Sequence, residues 1–515
     1  MTSHLPLLDV ASIYSAARQP REAQRWHALT QRFEAEYGAP PHFVARAPGR
    51  VNIIGEHIDH MGFAVLPAAL EMDILMLVRV TRAPDGEAPP PTLRVELRNT
   101  APRFEAASFE CAVADLQGVE LQHEGAARWA NYWKVALRGL HPHLPASVLD
   151  SASRPTKLEV LVDGTIPPES SLSSSAAMTV CSSMVVLEAF GARALIGREE
   201  MADVAIESER LVGVASGGMD QAASIFGVPS HALHISFFPK LAIRALRLPD
   251  STPKHTLLIA NTLVVSDKKV SGPVQYNLRV VELWMAARVL AKQLGLPRDA
   301  STKTLRKLMH VYFEKHPLEE DEAAQELGEE AAQIKKLGQL AEQLLPSHDV
   351  TRAEVEQLTG FEGEAFEQEF LSAFPIRADK FRLQARTRHV FAEAYRVHEF
   401  AALAARAHEG VYAELGALMN ASQASLMLDY ENGCAEILDV VRLAREAGAE
   451  GSRATGAGWG GSTVHLVRED RVDKVLEALR THFYKKRWPE LGEEELEQSL
   501  LVSDPASGAG LMLLD

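Results

Sequence analysis

Residues 176–192 read AAMTVCSSMVVLEAFGA, and on a helix their apolar side chains cover most of the circumference. Such a helix has no polar face to give to water, so it must be buried rather than half exposed. The first half of the chain alternates short β-type runs with helical runs, the pattern of α/β or α+β packing. Strands are predicted at His42–Ala47, Ile74–Thr81, Thr92–Leu97 and Leu158–Val162, and a buried strand in HTLLIANTLVV, residues 255–265. The stretch APDGEAPPP, residues 83–91, reads as a surface loop that could close a hairpin. A helix is predicted over Glu199–Leu211, and residues 277–317 are helical in pattern. Residues 318–345 form a strongly charged helical stretch, read as a solvated face. Residues 376–450 are again helical, followed by a strand, a Gly-rich loop and a strand, then an amphipathic helix over Arg471–Lys485. The last thirty residues read as peripheral.

The 515 residues allow two or three domains at roughly 150 residues each. Hydrophobic residues make up 46% and charged residues 24%, which excludes wholesale disorder and fibrous classes. Against 53 Lys and Arg stand 69 Asp and Glu, a net charge of −16 that repels a phosphate backbone, so no nucleic-acid partner is expected. The three cysteines, Cys111, Cys181 and Cys434, are too dispersed for a disulfide framework or a zinc ribbon, and a reducing compartment is expected. The most apolar stretch, Ala64 to Val80, is interrupted by Pro67, Glu71, Asp73 and Arg79, and the N-terminus shows no basic start and apolar core. A cytoplasmic protein without a membrane partner is expected.

Four segments concentrate polar chemistry. In DGTIPPESSLSSSAAMTV, residues 163–180, a strand ends in a hydroxyl-rich loop that opens the buried helix. Unpaired N–H groups and the positive dipole end make an anion site there, with Ser173, Ser174 and Ser175 adding hydroxyls, one of which can ligate Mg²⁺. An ordinary Ser N-cap fits these residues about as well. In GVASGGMDQ, residues 213–221, Asp220 follows Gly217 and Gly218 and reads either as a general base or as an N-cap. RAPGRVNIIGEHIDH, residues 46–60, crowds Arg46, Arg50, Glu56, His57, Asp59 and His60 around two glycines. It lacks the HExxH spacing of a zinc site and suits a ring of sugar hydroxyls better. ATGAGWGGSTV, residues 454–464, carries four glycines and is either a phosphate cradle or a tight hairpin.

Together and in this order the four segments resemble the galactose, homoserine, mevalonate and phosphomevalonate (GHMP) kinase superfamily. GRVNIIGEHIDHMGFAVLPAAL is similar to the galactokinase signature, SSLSSSAA to the ATP loop, GVASGGMDQAAS to the catalytic-base motif and GSRATGAGWGGSTV to the C-terminal motif. The resemblance runs from about Phe33 to Val467, and LVVSDKKVSGPVQYNLRVVE is similar to fungal-type galactokinases.

The resemblance implies an α+β fold of two lobes with the active site in the cleft between them: an N-terminal lobe over residues 1–235 with a five-stranded mixed sheet, and an α+β C-terminal lobe over residues 236–515 enlarged by helical insertions. It implies an ATP- and Mg²⁺-dependent kinase making galactose 1-phosphate. Asp220 matches the base and Arg50 the arginine that stabilises the transferring phosphoryl group. Glu56, His57, Asp59, Gly217 and Tyr276 match sugar contacts. Ser171, Ser173, Ser174 and Ser175 match the phosphate loop, Ser266, Asp267 and Lys268 a nucleotide-contacting segment, and Trp133 a neighbour of the adenine. Ser175 and Glu209 match the magnesium ligands. Asp220 beside Arg50 is expected to stay ionised. The alternatives implied are an N-acetylgalactosamine kinase, or a galactose- and ATP-binding sensor that acts on a transcriptional repressor. One departure is that Glu169, Ser170 and Ser171 stand where the family usually carries glycines.

Overall fold

The computed structural model describes residues 4–212, 217–265, 272–318, 322–373, 375–406 and 408–514. The strands are β1 (Phe43–Ile54), β2 (Leu66–Arg82), β3 (Thr92–Asn99), β4 (Ala107–Ala112), β5 (Pro155–Gly164), β6 (His231–Ser236), β7 (Ala242–Arg247), β8 (His255–Asn261), β9 (Val350–Thr351), β10 (Lys380–Phe381), β11 (Gly451–Thr455), β12 (Ser462–Arg468), β13 (Leu500–Ser503) and β14 (Gly510–Leu513). Two sheets position everything else. The larger runs β14-β1-β2-β5-β3-β4, antiparallel except for the β3–β5 pair, and is therefore mixed. The second runs β11-β12-β8-β13 and is antiparallel throughout.

Successive side chains of a strand point to opposite faces, so each central strand of the larger sheet must be covered twice. On one face Val44, Leu75, Leu77 and Leu161 pack under the helix Gln19–Tyr37 through Trp26, Leu29 and Phe33. On the other, Ala45, Met76, Val160 and Val162 join the main core, against the helix Ser174–Ala189, which lies on β1 and β2. Three more helices, Asn131–Leu140, Arg198–Arg210 and Met219–Phe226, pack around that helix. Thirteen of its residues are buried, as its unbroken apolar surface requires.

Four expectations are corrected. The sheet has six strands rather than five, because β14 at the far end of the chain pairs with β1 from Phe43↔Leu513 to Arg46↔Gly510. The C-terminal residues are accordingly not peripheral: β13 pairs with β8, Leu511 is fully buried, and the Ser507 and Gly508 carbonyls accept hydrogen bonds from the buried Arg46 guanidinium. Residues 83–91 do not close a hairpin, since β5 lies between β2 and β3. The charged stretch 318–345 has one apolar side. Its helix Glu329–Leu344 buries Ala331, Ala332, Ile334, Leu337 and Ala341 and packs along the helix Leu383–Ala405.

Candidate active site

Arg50 leaves β1 where the pairing with β2 shifts register between Pro48 and Arg50, which turns its side chain out of the regular ladder. Its Nε donates to Asp220 Oδ1 at 2.7 Å and its Nη1 to the Ser171 carbonyl at 2.6 Å. One guanidinium, itself 4% exposed, thus joins three of the four polar segments of the sequence. Asp220 lies in the first turn of the helix Met219–Phe226, whose N-cap is Gly218, so the aspartate is not a capping residue.

On one side of this ion pair, Glu56, His57, Asp59, Gly217 and Tyr276 share with Arg50 and Asp220 a small cavity of about 40 Å³. Gly217 is required there: a Cβ would lie 2.4 Å from the Asp59 carboxyl. Glu56 is buried, its Oε2 accepting from Arg453 Nη2 at 3.0 Å and from the Gly456 amide at 2.9 Å. Burial raises its pKa against the pull of Arg453 and Arg50. Burial, then the neighbouring Asp220 carboxylate, pushes Asp59 up to about 6. The His57 ring stacks on Tyr430 with centroids 4.5 Å apart, and its Nε2 donates to the Ala457 carbonyl at 2.9 Å.

On the other side a cavity of about 460 Å³ shares Arg50, Asp220 and Ala457 with the first and is lined by Ser171, Ser173, Ser174 and Ser175. The helix Ser174–Ala189 starts there. Its N-cap Ser173 sits at φ 64° without a side-chain cap, and the hydroxyls of Ser171 and Ser173 are buried with no hydrogen-bond partner among the described residues. That removes the ordinary Ser-cap reading, because a capping hydroxyl would be engaged by the helix N–H groups. Glu169, Ser171 and Ser173 all occupy the left-handed region, at φ 59°, 63° and 64°. The Gly-rich loop is the β11–β12 hairpin turn, and its glycines serve close approach: a Cβ on Gly461 would lie 2.2 Å from Ser171 Oγ and one on Gly456 2.5 Å from the Ser171 carbonyl.

Trp133 does not line the cavity. It is fully buried in the core with its ring against Phe109, because the 3₁₀ turn Arg128–Ala130 resets the helical phase before Asn131. Trp129 and Tyr132 line the cavity instead, together with Phe104. Trp129 Nε1 donates to the Glu105 carbonyl at 2.8 Å, which fixes the indole. Sequence reading missed these two residues; the cue was present in RWANYW, where three aromatics compete for one wall. Ser266, Asp267 and Lys268 lie outside the described residues. Ser175 lines the cavity, while Glu209 is buried outside its lining and accepts from Gln221; burial first, and then the Glu209 carboxylate, raises the pKa of the Tyr132 phenol. The group can bind a polyhydroxylated molecule on one side and a polyanion with a flat apolar end on the other, with a carboxylate between them.

Comparison with known proteins gives a consistent picture. The galactokinase galactose-binding signature matches residues 31–80, the GHMP kinase N-terminal domain residues 131–228 and the GHMP kinase C-terminal domain residues 401–485. Galactokinases of Saccharomyces cerevisiae and Schizosaccharomyces pombe are 36% and 33% identical to this chain, each over 99% of both chains. The galactokinase of Homo sapiens is 28% identical over 91% of this chain and 95% of its own. The crystal structure of Lactococcus lactis galactokinase complexed with galactose superposes with a TM-score of 0.65, covering 94% of this chain and 99% of that one at 23% identity, which shows a shared fold.

Proposed function

The chain belongs to the galactokinase family, and from that premise we propose how it carries out its reaction, transfer of the γ-phosphoryl group of ATP to the C1 hydroxyl of α-D-galactose. Asp220 is the base. The observation that carries this assignment is that its carboxylate, paired with Arg50 at 2.7 Å, borders both cavities. The C1 oxygen forms its bond to the γ-phosphorus, the bond to the ADP leaving oxygen breaks, and the hydroxyl proton passes to Asp220. An arginine-paired carboxylate is a weak base, which suffices where the transition state is loose and the proton leaves late. Arg50 holds that carboxylate in line and offsets the negative charge spread over the phosphoryl oxygens.

Glu56, His57, Asp59, Gly217 and Tyr276 hold the sugar hydroxyls, acceptors and donors to a ring that presents both. Ser171, Ser173, Ser174 and Ser175 receive the phosphates with the helix N-terminus, and Trp129 and Tyr132 replace Trp133 against the adenine. Ser266, Asp267 and Lys268 keep their nucleotide role by resemblance alone.

The donor set fits Mg²⁺. The Ser171 and Ser173 hydroxyls in the cavity wall are buried without partners among the described residues, and Ser175 from the same wall with the buried Glu209 would offer hard oxygen atoms to hold the ion. A magnesium ion bound there supplies charge neutralisation on the phosphate oxygens.

The boundary at residues 235 and 236 falls inside β6 and would split the β6–β7 hairpin, so we place the division into two lobes after β7, with β14 crossing back to the first sheet. Cytoplasmic residence is supported by three free thiols, and no described helix is long and apolar enough to cross a membrane.

The full-length galactokinase relatives and the galactose-binding signature support galactose over its N-acetylated analogue. Coupled ADP release with each sugar tests the reading. Sustained release that is faster with galactose is expected; binding without release, or faster turnover of the acetylated sugar, overturns it.

A further inference from the structure

The turn that carries Glu56 and His57 is strained. Gly55 stands at φ 100° and His57, a non-glycine residue, at φ 60°. A left-handed non-glycine residue is held against its steric preference, so an untethered turn would relax and carry the Glu56 and His57 side chains away from the small cavity.

The tether comes from the helix Leu383–Ala405, more than three hundred positions downstream. Glu393 is fully buried, and its Oε1 accepts from the Gly55 amide at 2.9 Å, the Glu56 amide at 3.1 Å and Ser422 Oγ at 2.7 Å. Its Oε2 accepts from Arg396 Nε at 2.8 Å. One helical turn earlier, His389 Nε2 donates to the Glu56 carbonyl at 3.0 Å, and its Nδ1 accepts from Ser425 Oγ at 2.9 Å. A single helix therefore takes both backbone polar groups of Glu56. Arg453 completes the frame by donating to the Asn52 carbonyl and to the Glu56 carboxylate. Glu393 lines neither of the two cavities; its contact with them is through the backbone that aims the residues which do.

We propose that Glu393 is a positioning residue for sugar recognition, gripping the Gly55 and Glu56 amides so that Glu56 and His57 face the hexose. A carboxylate suits this place better than a neutral amide. Its acceptor-only oxygens meet four donors at once, and charge-assisted bonds to N–H groups are roughly twice as strong as neutral ones. Glutamine keeps the volume but must turn its NH₂ toward Arg396 or toward the turn. The proposal rests on the small cavity being the galactose site.

The test measures galactose affinity by calorimetry, and the KM values for galactose and ATP, in the full-length wild type, Glu393→Gln and Ser422→Ala. Glu393→Gln should weaken galactose at least about tenfold, since buried amides are left poorly satisfied, while the ATP KM moves by less than about twofold. Ser422→Ala removes one donor to Glu393 and the acceptor of Arg453 Nε, both parts of the frame around the turn, and should weaken galactose by a smaller factor in the same direction. A general packing role would move both substrates together, so equal losses for galactose and ATP, or a folded Glu393→Gln with wild-type galactose affinity, overturn the proposal. Should Glu393→Gln not fold, Ser422→Ala decides, and unchanged galactose affinity refutes the tether. Absence of galactose binding in the wild type would instead refute the site assignment on which the proposal stands.

Discussion

Asp59 stands beside the Asp220 carboxylate in the small cavity, a placement that its proposed role in holding sugar hydroxyls accounts for. Burial and the nearby Asp220 carboxylate raise its pKa to about 6 from an ordinary value of about 4. A carboxyl that holds its proton more tightly folded than unfolded lends stability at low pH, which is lost as pH rises through that window. Ionised Asp59 is also the stronger acceptor for sugar hydroxyls. Asp59→Asn should therefore raise the thermal unfolding midpoint at pH 8 but not at pH 4, and weaken galactose at pH 8. Melting curves at the two pH values, with galactose KM measured alongside, check this. An unchanged midpoint at pH 8 would place the carboxyl in a milder environment. At this scale the motif segments pointed to Arg50, Glu56, His57, Asp59, Gly217, Asp220 and Tyr276, which border one cavity. Trp133 misled because two aromatics precede it, and only the helical phase after a 3₁₀ turn decides which rings face out. Glu393 was invisible, being one glutamate among many on a helix whose partner lies far away in sequence.

Among the elements, the serine loop shows how conformation and charge divide. Glu169 is exposed on the cavity rim and held at φ 59°, where glycine is at ease. A solvated carboxylate is screened from the phosphates, whereas the backbone strain of about 1–2 kcal/mol is not. Glu169→Gly should raise the unfolding midpoint and lower the ATP KM by no more than about threefold. A tenfold tighter ATP KM would mean that the carboxylate faces the phosphates. Of the strands with apolar runs, β5 is legible to within about three residues at each end, whereas β1 runs on to Ile54, well past Ala47, and β2 begins at Leu66, well before Ile74. β4 is not legible because only one of its six residues is buried and the segment has few large apolar side chains, and β14 because four residues carry too little pattern. The Gly-rich hairpin could not be resolved in sequence, since its glycines answer to Ser171, about three hundred positions away.

The whole molecule is arranged so that segments from both ends of the chain converge on one ion pair. β1 brings Arg50, the buried helix brings the serine loop, the β11–β12 turn closes over Ser171, and β14 returns to pin β1. The helical insertion is part of this frame, for the helix Glu329–Leu344 backs the helix that carries Glu393. Class and order of elements were legible from periodicity, whereas long-range pairing was not, because nothing local in GLML announces a partner at Phe43. The most direct test concerns the carboxylate between the two cavities. Steady-state phosphorylation of galactose by Asp220→Ala, with galactose affinity measured on the same sample, should show turnover reduced by about a thousandfold and galactose still bound. Turnover within about tenfold of wild type would contradict Asp220 as the base.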